Sequence, residues 1–171
     1  VHNVTDAFTR FYLQNGFADA FELIGGQSNH ENMLQVALYQ DLRANGASIS
    51  VVGNSDSHGT VDRVYFDQMK TIVFARENSK DAIIEAVKAQ NSVAIEEYDG
   101  QEPRYYAPFR LVRYAQFLYE WYFPVRAELC FEEGRLMRCV AAGDEGAAEA
   151  LSHLFGRTNA FYRHFFGNEK E

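Results

Sequence analysis

Ile49-Ser50-Val51-Val52-Gly53, running into Asn54-Ser55-Asp56-Ser57-His58-Gly59, is the stretch on which the reading of this chain turns. A short apolar run that closes on glycine and empties into a polar cluster reads as a buried strand with a functional loop at its end. Asp56 and His58 stand two residues apart, so an extended backbone points both to one side, about 6.5 Å apart along the chain. A carboxylate and an imidazole so placed can ligate one metal ion or two neighbouring ones. The blander alternative is that Asp56 merely caps the turn after the strand.

Working outward, the strand at 49–52 is too uniformly apolar for a half-exposed hairpin and suits a parallel strand covered on both faces. Before it, a helix is expected over 3–14 with Val4, Ala7, Phe8 and Phe11 inward, then a strand over 18–24. A second helix follows over 31–44, with Leu34, Ala37, Leu38 and Leu42 as its apolar face. After it come a loop over 54–67, long enough to be functional, and a strand over 70–75. Ser79 then caps a helix whose inward face is Ala82, Ile83, Ala86 and Val87, and a strand over 92–96 closes the pattern. Strands alternating with helices imply a parallel sheet, open or closed, whose ligand face lies at the strands' C-terminal ends. Asp56 and His58 fall there, as does the loop 27–30, which makes His30 the best further ligand candidate. Its place between Asn29 and Glu31 equally suits a helix start. Glu22, inside the first strand, either faces the sheet interior or pairs with Arg43 or Lys70.

Composition bounds the rest. A chain of 171 residues, 47% apolar and 15% aromatic, can bury a sizeable core, and one domain plus an appendage is the natural organisation. A net charge of −8 argues against wrapping a nucleic-acid backbone. No apolar run approaches a membrane span and no signal-peptide pattern opens the chain, so a cytoplasmic protein is expected. Cys130 and Cys139 fit neither a redox pair nor a zinc knuckle and read as free thiols. Beyond residue 98 the character becomes helical and dense in aromatics, from Tyr105 to Phe123, with Pro124 dividing two helices and further helices after Gly143-Asp144 and over 158–166. The aromatic stripe, His153 and His164 read as packing. Arg110 and Arg113 lie three apart on one face, a spacing that grips a phosphate or, more often, pairs with acids such as Glu120, Glu128, Glu132 or Glu133.

The Asn54–Gly59 cluster after a Val-rich strand resembles the last metal-binding motif of the PHP (polymerase and histidinol phosphatase) family of metal-dependent phosphoesterases. Asp19-Ala20-Phe21-Glu22-Leu23-Ile24-Gly25-Gly26 before it, and Lys70–Ala75 and Ser92–Glu96 after it, extend the similarity over residues 17–98. The resemblance implies that residues 1–98 form the last βα units of a distorted TIM-like parallel barrel and that 99–171 are a helical extension. It implies two or three divalent ions, zinc, manganese or iron, with Asp56 and His58 as ligands in the catalytic centre. Asn54, Ser55 and Ser57 would orient them, while Arg63 and Asn54 would contact substrate. Such proteins open with a His-x-His motif and earlier ligands that no segment here supplies. The chain is therefore expected to be the C-terminal part of a longer phosphoesterase acting on phosphorylated small molecules, in keeping with Val1 as first residue, and to be inactive alone. The alternative is a non-catalytic binding or assembly module. A part-barrel leaves sheet edges unpaired, so homo-oligomers are expected under either reading.

Overall fold

The computed structural model describes residues 6–26, 28–58, 68–98 and 100–167. The chain divides into two compact units, Val1–Ala115 and Gln116–Glu171. Arg63, expected to contact substrate, lies outside the described residues.

The first unit runs α1 (Asp6–Gln14), β1 (Phe21–Ile24), α2 (Asn29–Ala44), β2 (Val51–Gly53), β3 (Met69–Val73), α3 (Lys80–Lys88), β4 (Ser92–Glu96) and β5 (Arg104–Tyr106). α4 (Phe109–Trp121) carries the boundary between the units. Local chemistry explains the starts of α2 and α3. Ser28 Oγ accepts from the Glu31 amide at 3.3 Å while Glu31 Oε2 accepts from the Ser28 amide at 3.2 Å, a reciprocal capping box. Ser79 Oγ accepts from the Ala82 amide at 3.3 Å.

The strands do not form the expected barrel segment. β1 and β2 pair in parallel as a sheet of two, with Phe21 opposite Val51. β3, β4 and β5 form a separate antiparallel sheet of three, with Val73 opposite Ser92 and Ala94 opposite Tyr106. No barrel closes among the described residues. The βα rule holds for β1-α2-β2 and fails for β3-α3-β4. The Phe74 amide donates to Asn91 O at 2.9 Å, so the chain returns to the end it left. α3 is thus an excursion at one end of a hairpin-like pair, not a crossover running back along it. A strand buried on both faces, as β4 is from Ser92 to Glu96, looks the same in sequence whichever way its neighbour runs.

The two sheets are joined through side chains. Opposite residues of an antiparallel pair share a face, so Met69, Thr71 and Val73 of β3 stand beside Glu96, Ala94 and Ser92 of β4. The small members of this face let β2 lie directly against it. Thr71 Oγ1 accepts from the Gly53 amide at 2.8 Å and donates to the Gly53 carbonyl at 2.7 Å. Ser92 Oγ donates to Val51 O at 2.7 Å. Val51 beside Ser92, and Gly53 beside the partner of Ala94, mean that β2 runs in the direction of β4. The C-terminal ends of β1, β2 and β4 therefore point the same way. Leu23, Ile24, Val51, Met69 and Ala94 fill the junction, with Tyr98 and Tyr106 packed against it. At the other end, Ser50 Oγ donates to Val87 O and Gln90 Nε2 to Ser48, tying the close of α3 to the entrance of β2.

α2 turns an unexpected face inward. Asn32, Gln35 and Leu42 are buried, whereas Leu34 is 65% exposed. Leu34, Ala37 and Leu38 instead line a cavity of about 280 Å³ beside Asp6, Arg10 and Asp41. Of the face expected on α3, Ala82 and Ala86 are buried and Ile83 is not. β5 was not expected either, because Arg104-Tyr105-Tyr106 reads as the start of the aromatic helical region.

In the second unit α5 (Phe123–Ala141) packs against α6 (Glu145–Leu154) and α7 (Arg157–Phe166). Pro124 sits in the first turn of α5, and Asp144 caps α6 by accepting from the Ala147 amide at 3.2 Å. Tyr122 stacks on Phe161 at 5.4 Å between centroids and meets Phe166 edge-on at 4.8 Å. At Tyr122 the stripe thus packs helix on helix, whereas Phe109 and Trp121 are 77% and 57% exposed. Glu132 pairs with Arg157 at 3.0 Å, and Glu133 accepts from Thr158 at 2.9 Å.

Candidate functional site

β2 ends at Gly53, whose close surroundings fix where the following loop starts. A side chain there would meet Lys70 O at 2.8 Å and Ile24 Cγ1 at 3.0 Å, so only glycine lets β2 nest between β1 and β3. The Asn54 amide donates to Ile24 O at 3.1 Å, extending the β1–β2 contact by one residue. Asn54 Oδ1 then accepts from the Asp56 amide at 3.2 Å, an Asx turn, and Ser55 Oγ accepts from the Ser57 amide at 3.4 Å. Asp56 takes a left-handed conformation, φ 53°. Asp adopts this more readily than most residues, yet at a cost.

The loop rests on the turn that leaves β1. A Cβ on Gly26 would lie 2.3 Å from Ser55 O and 3.1 Å from Asp56 Cβ, so backbone meets backbone with no room between. Behind that turn Asn32, 1% exposed, clamps Gly25 by accepting from its amide and donating to its carbonyl, both at 3.1 Å. Asn32 Nδ2 also donates to the Tyr98 hydroxyl at 3.4 Å. Beyond Tyr98 lies Glu96, the last residue of β4 and 2% exposed. Its Oε2 accepts from Tyr106 and from Arg104, each at 3.3 Å, while its Oε1 has no hydrogen-bond partner among the described residues. The Tyr98 hydroxyl is held above its ordinary range, first by burial; the Asn32 bond opposes this, and the charge of Glu96 reinforces it. Burial and Glu96 raise Tyr106 in the same way.

Electrostatics bring out a partner for the loop. The Glu22 carboxyl on β1 is raised above its ordinary range by partial burial and then by the charge of Asp56, against a hydrogen bond from Asn54 that holds it down. Of the two cations considered for Glu22, Lys70 bonds Glu97 at 2.9 Å and Arg43 donates to Gln90 at 3.3 Å. Glu22 is instead near enough to Asp56 and Asn54 for its ionisation to respond to both.

Asp56 and His58 are both exposed on the loop. Among the described residues no three His, Cys, Asp or Glu side chains come together as a metal-holding group. His58 is therefore not brought together with Glu22 and Asp56 as a third donor. His30 sits in the first turn of α2, one residue past Asn29 and exposed. The position that suited a helix start is one. The sequence reading passed over Asn32 and did not single out Glu96. A carboxylate closing a strand otherwise made of Ser, Val, Ala and Ile was the available signal for the latter, since an isolated charge is rarely buried. Asn32 had no such mark, because an Asn near a helix start ordinarily faces water.

No family model, curated protein or solved structure matches this chain. No helix among the described residues is long and apolar enough to cross a membrane.

Proposed function

We propose that the Glu22–Asn54–Asp56 cluster is part of a divalent-cation site serving phosphate-ester hydrolysis, with His58 on the same loop and the remaining ligands supplied from outside this chain. The observation that carries the reading is the exposed Asp56–His58 loop at the C-terminal ends of β1 and β2, with the Glu22 carboxyl near enough to respond to the charge of Asp56. Two like charges held together oppose ionisation, and a cation between oxygen donors relieves that opposition. The fit is partial. Two carboxylates and one carboxamide suit a hard cation, whereas a catalytic zinc takes three protein ligands and an open position. A bound ion would polarise the ester and lower the pKa of a coordinated water. The chain's own residues do the positioning. Asn54 holds the Asp56 amide through Oδ1 and so fixes the backbone from which Asp56 projects. The left-handed backbone at Asp56 agrees with a functional loop, where strain of this kind is concentrated.

The test is Mn²⁺ binding by the full chain, read by electron paramagnetic resonance, beside Asp56→Ala and Glu22→Gln. Saturable binding near one ion per chain, lost in both variants, supports the site. Equal uptake by all three proteins overturns it. On this reading the chain alone does not turn over substrate, since its ligand set is incomplete.

A second reading, a docking module, has its own observation. Phe8, Phe11 and Phe17 are 59%, 54% and 63% exposed, and Met33 and Leu34 are 62% and 65% exposed, an apolar density unusual for an unpartnered surface. Sedimentation of the chain over a wide concentration range tests it, and a monomer throughout removes self-association.

A further inference from the structure

We propose that Asn32 is a positioning residue for the Asp56 loop of the cation site, and that Tyr98, with Glu96 beyond it, is the support that holds Asn32 in place. The proposal deepens the cation-site reading and rests on it for its functional meaning. Its structural content stands on separate geometry.

The path can be followed contact by contact. Asp56 is seated by the absence of any space at Gly26, where a Cβ would lie 2.3 Å from Ser55 O. Gly26 belongs to the turn that Asn32 grips by both backbone groups of Gly25, each at 3.1 Å. This grip stands in for a strand ladder at the point where β1 has ended and the backbone would otherwise be unpaired and buried. Asn32 can make it only with its carboxamide oriented one way, oxygen toward the Gly25 amide and nitrogen toward the Gly25 carbonyl. Nδ2 donates further to the Tyr98 hydroxyl, 66 residues away in sequence, which braces the carboxamide that the Gly25 amide and carbonyl orient. Two residues before Tyr98, at the end of β4, the buried Glu96 carboxylate is anchored from β5 by Arg104 and Tyr106. A residue on α2, two at the end of β4 and two on β5 thereby converge on a single turn that carries the loop. Nothing in the packing of apolar side chains needs this arrangement. A leucine at position 32 would leave both Gly25 groups without the partner that Asn32 supplies.

The experiment uses the full chain, isotope-labelled, with Asn32→Ala, Tyr98→Phe and Leu42→Ala. Leu42 is fully buried on the same helix but makes no contact in this path, so its truncation reports a loss of core packing alone. The readouts are the amide resonances and hydrogen exchange of Asn54, Ser55 and Asp56, together with Mn²⁺ affinity. Asn32→Ala is expected to shift those amides, speed their exchange and weaken Mn²⁺ binding by about tenfold, the lower end of what outer-shell partners cost. Tyr98→Phe should produce the same pattern more weakly, and Leu42→Ala should lower stability while leaving all three amides in place. Should Asn32→Ala fail to fold, Tyr98→Phe carries the test. Unmoved Ser55 and Asp56 amides in a folded variant overturn the proposal, as does a Leu42→Ala variant that moves them equally. If the wild-type chain binds no Mn²⁺, the cation-site reading falls, and the amide resonances still decide whether Asn32 positions the loop.

Discussion

Replacing Gly26 by Ala tests most directly whether the β1 turn seats the Asp56 loop. The added methyl would start 2.3 Å from Ser55 O, 3.1 Å from Ser55 C and 3.1 Å from Asp56 Cβ. A carbon and a carbonyl oxygen ordinarily approach to about 3.3 Å, the lower end of observed C···O contacts, so relief needs a displacement of about 1 Å. All three opposing atoms are backbone or the root of a side chain, which no rotamer change can move. Gly26 is absent from the glycines with positive φ, so Ala suffers there from crowding and not from a forbidden backbone angle. Overpacking of this size costs about 1–3 kcal/mol, and the exposure of the loop places the loss near the lower end, because the loop can swing outward. Swinging outward is what matters for the site. Ligand distances in a metal site are held within about 0.2 Å, and a 1 Å movement of Asp56 exceeds that several times over. Gly26→Ala is therefore expected to lower the urea midpoint modestly and to weaken Mn²⁺ binding by tenfold or more, by about 1.4 kcal/mol or above. Mn²⁺ affinity and Ser55 amide resonances identical to wild type in a folded Gly26→Ala protein would refute the reasoning.

The remaining predictions concern the sheet junction, the second unit and pH. Thr71→Val removes the donor and acceptor that serve Gly53 and leaves a buried amide unpaired, an expected loss of about 1–3 kcal/mol in urea unfolding; an unchanged midpoint would mean that β2 is held by packing alone. Gly134→Ala lies inside α5, where an added Cβ meets nothing within 4 Å, so it should stabilise by about 0.5–1 kcal/mol in the same assay. The folded-state pKa of Glu22 is raised above its ordinary 4.5, so the folded state binds the proton more tightly than the unfolded one. Its contribution is fully present below pH 4.5 and is lost as pH rises through the raised value. Asp56→Asn should flatten that decline without abolishing it, since partial burial remains; superimposable stability–pH curves for the two proteins would contradict it.

What could be read from sequence followed how local the determinant was. The caps at Ser79 and Asp144, the stop at Gly167 and Pro124 at a helix start are chemistry within a few residues, and the helices lie close to where those signals put them. Strand direction is settled by distant partners. Val73 meeting Ser92, with a helix between them, carries no local mark, and the barrel expectation failed there. The helix faces misled for a related reason. Leu34, Ala37 and Leu38 make the obvious apolar stripe of α2, yet Asn32 and Gln35 are turned inward, Asn32 because the buried backbone at Gly25 takes it as a polar partner. The Asp56 loop was legible as a polar cluster after a strand. Its neighbour Glu22 was visible only as an unplaced carboxylate, and Asn32 and Glu96 acquire meaning only once α2, β4 and β5 are assembled around one turn.

The serine and threonine contacts that bind β2 to the β3–β4 face bear on the order in which the first unit forms. β3, α3, β4 and β5 are contiguous in sequence and pair antiparallel, so their contacts close short loops and cost little chain entropy. β1-α2-β2 is then expected to dock onto that surface last, and the support that Tyr98 gives Asn32 beneath the Asp56 loop to form only on docking. Hydrogen exchange should accordingly find two cooperative steps within one unit, with amides of β1 and β2 opening at lower free energy than those of β4. A ligand gripping the Asp56 loop would raise the first step toward the second, making the loop's occupancy a clasp on the last part of the fold to arrive.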